Sequence, residues 1–186
     1  MAKAAKSKRE IKVVNIVIST SLKHDIPLEK MAAALSNTEY NPEQFPGLVI
    51  RIKEPKTSAL IFSSGKIVCT GARSMDKVEE SIKKIIKSLE KIGIKITIKP
   101  EIKIQNIVAS GTVGMDLNLN TLAMKLRNTE YEPEQFPGLV YKLIDPAVKA
   151  TFLLFTNGKV VCTGTKSETE VNLALDKLIE NLKKIK

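Results

Sequence analysis

Tryptophan is absent and only 4% of the residues are aromatic, so the few rings present mark places rather than a general pattern. His24, the one histidine, stands beside Asp25 in a loop, which leaves imidazole-based acid, base or metal chemistry without a second group. Cys69 and Cys162 form neither a disulfide framework nor a zinc spacing. Each follows Val and precedes Thr-Gly, and both read as small buried strand residues in a reducing compartment. No apolar run reaches the roughly 18 residues that a membrane span needs. Met1 to Arg9 has no apolar core of a secretory signal, and residues 1–10 read as a disordered basic tail. Glu39 and Glu43 are the nearest approach to paired carboxylates, but they lie in a Pro-containing loop with no evident pocket. Neither catalysis, nor a metal, nor a cofactor is expected.

Acidic residues are in deficit: 20 Asp and Glu face 30 Lys and Arg, for a net charge of +10. Lys3, Lys6, Lys8 and Arg9 in the tail carry four of these charges, leaving +6 for the body. That excess hints at a polyanionic partner, although lysines kept for solubility give the same sign.

Against this sparse background one stretch occurs twice. Asn37-Thr38-Glu39-Tyr40-Asn41-Pro42-Glu43-Gln44-Phe45-Pro46-Gly47-Leu48-Val49 returns at an offset of 91 as Asn128 to Val140, with the single change of Asn41 to Glu132. Each copy sets a phenylalanine against a Pro-Gly turn and runs into an apolar strand, so the turn fixes where the ring points. A period near 90 predicts two similar halves, residues 11–95 and 96–186.

In the first half, Lys12 to Ser19 reads as a strand and Pro27 to Ser36 as a short helix with Leu28, Met31, Ala32 and Leu35 on one face. Leu48 to Ile52, Ser58 to Phe62 and Lys66 to Thr70 read as strands, with a tight reversal at Ser64-Gly65. Ser74 caps a long amphipathic helix, Met75 to Ile92, that ends at Gly93. Its apolar positions Val78, Ile82, Ile85, Ile86, Leu89 and Ile92 recur 93 residues later as Val171, Leu175, Leu178, Ile179, Leu182 and Ile185, behind the capping-box pattern Ser167-x-x-Glu170. The offset grows by two between Pro146 and Leu153, so the second copy has a longer turn there. Each half is thus α+β, with helices on one sheet face. Ile94 to Pro100 reads as a strand-like connector, and the halves are expected to share one sheet.

Alternate strand residues point to opposite faces. Ile16, Ile61, Ile67 and Cys69 fall on the side the helices bury; Asn15, Val17, Leu60, Phe62, Lys66, Val68 and Thr70 fall on the other. In the second half that other side collects Asn106, Val108, Leu153, Phe155, Lys159, Val161 and Thr163. No further helix is available to cover it, and an uncovered apolar face with a cationic rim is a binding surface. Phenylalanine is ordinarily a core residue, but Phe45, Phe62, Phe136 and Phe155 recur as one pair per half with the same neighbours. Val, Leu and Thr methyls with one Asn per half suit a nucleic-acid minor groove, whose edges offer few and degenerate hydrogen-bonding groups. The rim cations Arg51, Lys66, Arg73, Lys142, Lys159 and Lys166 would meet phosphates.

These residues carry a resemblance. Asn15-Ile16-Val17, Glu39-Tyr40-Asn41-Pro42, Gln44-Phe45-Pro46-Gly47, the run Leu60 to Gly71 and their second-half counterparts closely resemble the TATA-box-binding protein family in its archaeal form, over about residues 11 to 186. The resemblance implies a pseudo-twofold saddle of two repeats: one curved antiparallel sheet, its concave side on the DNA minor groove and its helices on the convex face. It implies a general transcription initiation factor in which Phe45, Phe62, Phe136 and Phe155 kink the DNA. Asn15 and Asn106 would bond base acceptors. Val17, Leu60, Val68, Thr70, Val108, Leu153, Val161 and Thr163 would line the groove, and Arg51, Ser64, Lys66, Arg73, Lys142, Lys159 and Lys166 would approach the backbone. Implied partners are A/T-rich double-stranded DNA, transcription factor B, through Glu132 and Glu134, and RNA polymerase through the initiation complex. The implied location is the cytoplasm, at the nucleoid, and the free protein could occupy its own apolar face as a homodimer. Gln44 and Gln135 beside the wedge rings, Asn157 in place of a turn serine, and the long turn from Pro146 to Thr151 depart from the family pattern. A diverged scaffold that kept the fold but lost DNA preference is the competing expectation; the intact phenylalanine and asparagine set argues against it.

Overall fold

The computed structural model describes residues 9–185. Most of the expected basic tail lies outside them, and Glu10 is already in a strand. The elements run β1 (Glu10–Ser21), α1 (Leu28–Ala34), β2 (Thr38–Glu39), β3 (Leu48–Ile52), β4 (Thr57–Ile61), β5 (Lys66–Ala72) and α2 (Met75–Lys91). The series repeats as β6 (Lys103–Thr112), α3 (Leu119–Lys125), β7 (Thr129–Glu130), β8 (Leu139–Ile144), β9 (Lys149–Leu154), β10 (Lys159–Thr165) and α4 (Glu168–Lys183). The α+β class read from the repeats is the one observed.

The chain forms two compact units, Asn15–Gln105 in one, Asn106 onward with the chain up to Val14 in the other. In the first, the neighbour order is β2-β3-β4-β5-β1; in the second it is β6-β10-β9-β8-β7. Their hairpin ladders are antiparallel, for example Leu60 opposite Val68 and Leu153 opposite Val161. The start of β1 belongs with the second unit, where a Cβ on Gly111 would come within 2.0 Å of the Glu10 carbonyl oxygen. Only glycine lets the two backbones approach so closely.

Helices form where the apolar period is 3.6 and a cap is at hand. In α2, Val78, Ile82, Ile85 and Leu89 are buried and Ser74 Oγ accepts from Lys77 N–H at 3.3 Å. The helix stops through two bonds, Gly93 N–H to Glu90 O and Ile94 N–H to Leu89 O, with Gly93 at φ 85°. This Schellman arrangement satisfies carbonyls that would otherwise be orphaned. It also explains a correction: Ile94 to Pro100 contains no strand. The connector's first residue is tied to the helix end, and Pro100 lacks the N–H a ladder needs. Thr20 Oγ1 then donates to Glu101 O at 2.6 Å, a side-chain bond in place of a ladder.

In α4, Ser167 Oγ accepts from Glu170 N–H at 3.1 Å, as expected of a capping box. The return bond departs from that pattern, because Glu170 Oε2 accepts from Lys166 N–H rather than from the cap residue itself. The short helix α1 begins after Pro27, which stands at the cap, and buries only Leu28 and Met31.

Within each unit the helices cover one face of the strands. Ile18, Ile50, Ile61 and Ile67 are buried in the first unit; Leu139, Phe152, Leu154 and Val160 are buried in the second. The few polar groups in this core are satisfied. Thr57 and Ser81 hydroxyls lie 2.8 Å apart, and Ser81 Oγ donates to Lys77 O. Tyr141 reaches the surface of the core, where its hydroxyl accepts from Asn181 Nδ2 at 3.0 Å.

Phe152 is 0% exposed, whereas its near neighbour Phe155, just past the end of β9, is half-buried on the other face. Phe152→Ala should therefore lower unfolding free energy by about 3–5 kcal/mol. Phe155→Ala should lower it by less than half as much, as measured by denaturant titration of the two variants.

Candidate nucleic-acid interface

The uncovered face of the unit Asn15–Gln105 is built by parity. Val17, Leu60, Phe62 and Val68 are half-buried, while Lys66 and Thr70 are exposed. Phe45 lies at its edge with 43% of its surface exposed, and its ring meets Phe62 edge to face with centroids 6.0 Å apart. In the unit from Asn106 onward, Val108, Leu153, Phe155, Val161 and Thr163 are half-buried and Lys159 is exposed. Phe136 is 41% exposed there, and it pairs with Phe155 in the same geometry at 6.0 Å.

Both aromatic pairs are held by glycine. A Cβ on Gly47 would stand 2.7 Å from Phe45 Cε1 and 3.2 Å from Phe62 Cε1; on Gly138 the distances to Phe136 and Phe155 are 2.7 and 3.1 Å. Any side chain there would push a ring out of place. The preceding turn is made by the main chain: Asn41 O accepts from Gln44 and Phe45 N–H, and Glu132 O from Gln135 and Phe136 N–H. Because a carbonyl closes the turn, the one difference between the copies, Asn41 against Glu132, leaves the ring geometry intact.

Asn15 and Asn106 are oriented by a backbone irregularity. Two steps from Ile16 to Ile18 on β1 match three from Ala72 to Cys69 on β5, and β10 gains a residue on β6 between Cys162 and Thr165. Gly71 and Gly164 take left-handed φ values of 101° and 91° in these bulges. Gly71 N–H then donates to Asn15 Oδ1 at 2.7 Å, and Gly164 N–H to Asn106 Oδ1 at 2.8 Å. The amide oxygens are thereby occupied, which fixes each amide and leaves Nδ2 as the group offered outward. Each Nδ2 donates one hydrogen to a neighbouring threonine, Thr70 Oγ1 at 3.1 Å and Thr163 Oγ1 at 2.9 Å, and keeps its second. Such a site is donor-rich on an apolar floor.

The rim is cationic but partly paired. Arg51 Nη1 lies 2.8 Å from Glu39 Oε2, and Lys142 Nζ 3.6 Å from Glu130 Oε1. Exposed pairs of this kind are worth about 0–1 kcal/mol, so exchange for a phosphate costs little. Ser64 and Asn157 occupy the exposed hairpin turns, and Asn157 Oδ1 accepts from Lys159 N–H at 3.0 Å. Arg73 and Lys166 are exposed beyond the ends of β5 and β10, off the floor. Glu132 and Glu134 are exposed beside Phe136, in the turn rather than on the strands.

Sequence reasoning missed the glycines at 71 and 164. The doubled Val-Cys-Thr-Gly signal was visible, but it drew attention to the cysteine. Burial pushes both thiols up from 9.0 to about 11, with opposing hydrogen bonds from Thr70 and Thr165. They are neutral core groups at neutral pH. Among the described residues no three metal-ligating side chains come together, and His24 Nδ1 donates to Asp25 O at 2.6 Å.

The family profile described as "Transcription factor TFIID (or TATA-binding protein, TBP)" matches residues 10–92 and 101–185, one match per repeat. The TATA-box-binding protein of Methanocaldococcus jannaschii is 53% identical over 176 residues, covering 95% of each chain. That of Methanosphaera stadtmanae is 56% identical over 176 residues, covering 93% of each chain. That of Archaeoglobus fulgidus is 49% identical, covering 94% of this chain and 95% of its own. The solved structure of Methanococcus jannaschii TBP superposes with a TM-score of 0.88, covering 94% of this chain and 99% of that one at 53% identity.

Proposed function

The chain belongs to the TATA-binding protein family, and from that premise we propose that it is a general transcription initiation factor that binds the TATA box through the open faces of its two units. The observation that carries this reading is the donor set on an unroofed apolar floor: Asn15 and Asn106 have their oxygens occupied and one Nδ2 hydrogen on a threonine hydroxyl, which leaves each amide its second N–H to donate. The minor-groove edge of an A·T pair shows only acceptors, adenine N3 and thymine O2, whereas guanine adds an amino donor. Donor would then face donor on a G·C pair, so the floor selects A/T-rich sequence by what it lacks.

The aromatic pairs supply the deformation. Phe45 and Phe136 present exposed ring edges supported from behind by Phe62 and Phe155. Insertion of such wedges between base steps unstacks and kinks a duplex, a mode for which this family is itself the standing example. Val17, Leu60, Val68, Val108, Leu153 and Val161 would fill the groove with methyl contacts. Arg51, Lys66, Arg73, Lys142, Lys159 and Lys166, with Ser64, would take phosphates. The bent complex would then be read by transcription factor B, with Glu132 and Glu134 as acidic contacts, and RNA polymerase would follow. In the cell the protein would then act on nucleoid DNA.

Three outcomes are expected. In competition, an A/T-rich duplex should displace a G/C-rich one of equal length, with each substituted central base pair costing about 1–3 kcal/mol; equal affinity would remove the selectivity argument. Phe155→Ala should reduce bending, read as lower energy transfer between dyes on the DNA ends, and unchanged transfer would reject the wedge role. Glu134→Arg should weaken the ternary complex with transcription factor B while sparing the binary DNA complex, by charge reversal at a protein contact. Equal loss of both would reject the assignment of Glu134.

A further inference from the structure

Lys23 occupies a backbone position suited to glycine. Its φ is 50°, and its repeat-equivalent, Gly114, has φ 76°. A left-handed backbone is disfavoured for a side chain with a Cβ, yet this unit carries lysine there, with Lys23 N–H donating to Ser21 Oγ at 3.2 Å. Outliers of this type concentrate where a side chain has work to do.

Lys23 opens onto a cleft of about 690 Å³ that lies wholly within the unit Asn15–Gln105. Lys66, Lys99 and Lys103 line it too, together with the hydroxyls of Ser19 and Ser64. Glu101 is the only carboxylate among the lining residues. Among the described residues, no carboxylate lies within ion-pair distance of any of the four lysines. Four unpaired ammonium groups with hydroxyl donors between them make a receptor for oxyanions.

The cleft starts where the open face of this unit stops. Ser64 and Lys66 belong to the hairpin closed by Phe62 N–H to Lys66 O and Gly65 N–H to Phe62 O, so the cleft adjoins the Phe62 end of the floor. The cations also travel with the repeat. Lys99-Pro100-Glu101-Ile102-Lys103 leads, after two residues, into Asn106-Ile107-Val108; Lys8-Arg9-Glu10-Ile11-Lys12 leads in the same way into Asn15-Ile16-Val17.

We propose that this cleft is an additional DNA site, taking backbone phosphates of the duplex where it runs on past the base pairs held by the open face. The inference rests on the DNA-binding reading above and adds to it three contacts, Lys23, Lys99 and Lys103. Their role is sequence-independent: they lengthen the electrostatic footprint and so favour a TATA site embedded in longer DNA over an isolated one.

The test uses the full chain and two duplexes, one ending at the A/T-rich core and one carrying about one further helical turn on each side. Wild type is compared with the triple variant Lys23→Gly, Lys99→Gln and Lys103→Gln. On the short duplex the two proteins should bind alike. On the long duplex wild type should bind more tightly than the variant at low salt. Its log K against log salt should be steeper by about 0.9 for each phosphate contacted, so two phosphates give roughly a tenfold difference in salt sensitivity between 50 and 200 mM. Equal affinities and slopes for both proteins on the long duplex would overturn the proposal while leaving the TATA-binding reading intact. Loss of poly-glutamate peptide binding in the variant, with flank dependence unchanged, would reassign the cleft to an acidic protein segment and also overturn it. Failure of wild type to bind either duplex would instead remove the DNA-binding reading, and the cleft assignment with it.

Discussion

A strand has two faces, and in each unit the helices cover only one. That constraint sets nearly everything else. Along β9, Phe152 and Leu154 go under the helices, while Leu153 and, just past the strand end, Phe155 fall on the other face. A shift of one residue would exchange the two sets. Packing of the core therefore decides which phenylalanines are available to a partner, and the same helices that stabilise the fold are what keep the other face bare.

On that bare face, the orientation of the two asparagines comes from backbone geometry. A bulge ending in a left-handed glycine turns one N–H out of the ladder and into an asparagine oxygen. The amide is then fixed with one Nδ2 hydrogen on the adjacent threonine and one left to offer. The cost of an unpaired ladder position is offset by a hydrogen bond of 2.7 or 2.8 Å, and the result is a fixed donor where a free asparagine would offer either atom.

Much of this was legible in the residues. The thirteen-residue repeat located both aromatic turns, and period-two alternation assigned Ile16, Ile61, Ile67 and Cys69 to the core and their neighbours to the open side. The run Phe152-Leu153-Leu154-Phe155 is apolar throughout, so only its register told the two rings apart. The bulges were not legible, because a glycine in a strand looks the same whether it bends the ladder or merely saves space. The connector Ile94 to Pro100 misled for a related reason: its alternating isoleucines mimic a strand, while the Schellman end of α2 and Pro100 withhold the hydrogen bonds a strand requires. The edge strands β2 and β7 are two residues each and sit inside the repeated stretch, where local pattern carries no signal.

The carbonyl that closes each aromatic turn has a wider implication. Since the Asn41 and Glu132 side chains contribute nothing to that closure, their chemistry can drift without disturbing the ring beside them. Duplication first makes two units alike; a neutral amide in one turn and a carboxylate in the other is among the least disruptive ways to tell them apart. The two units can therefore differ on the outside of the turns while their open faces remain alike.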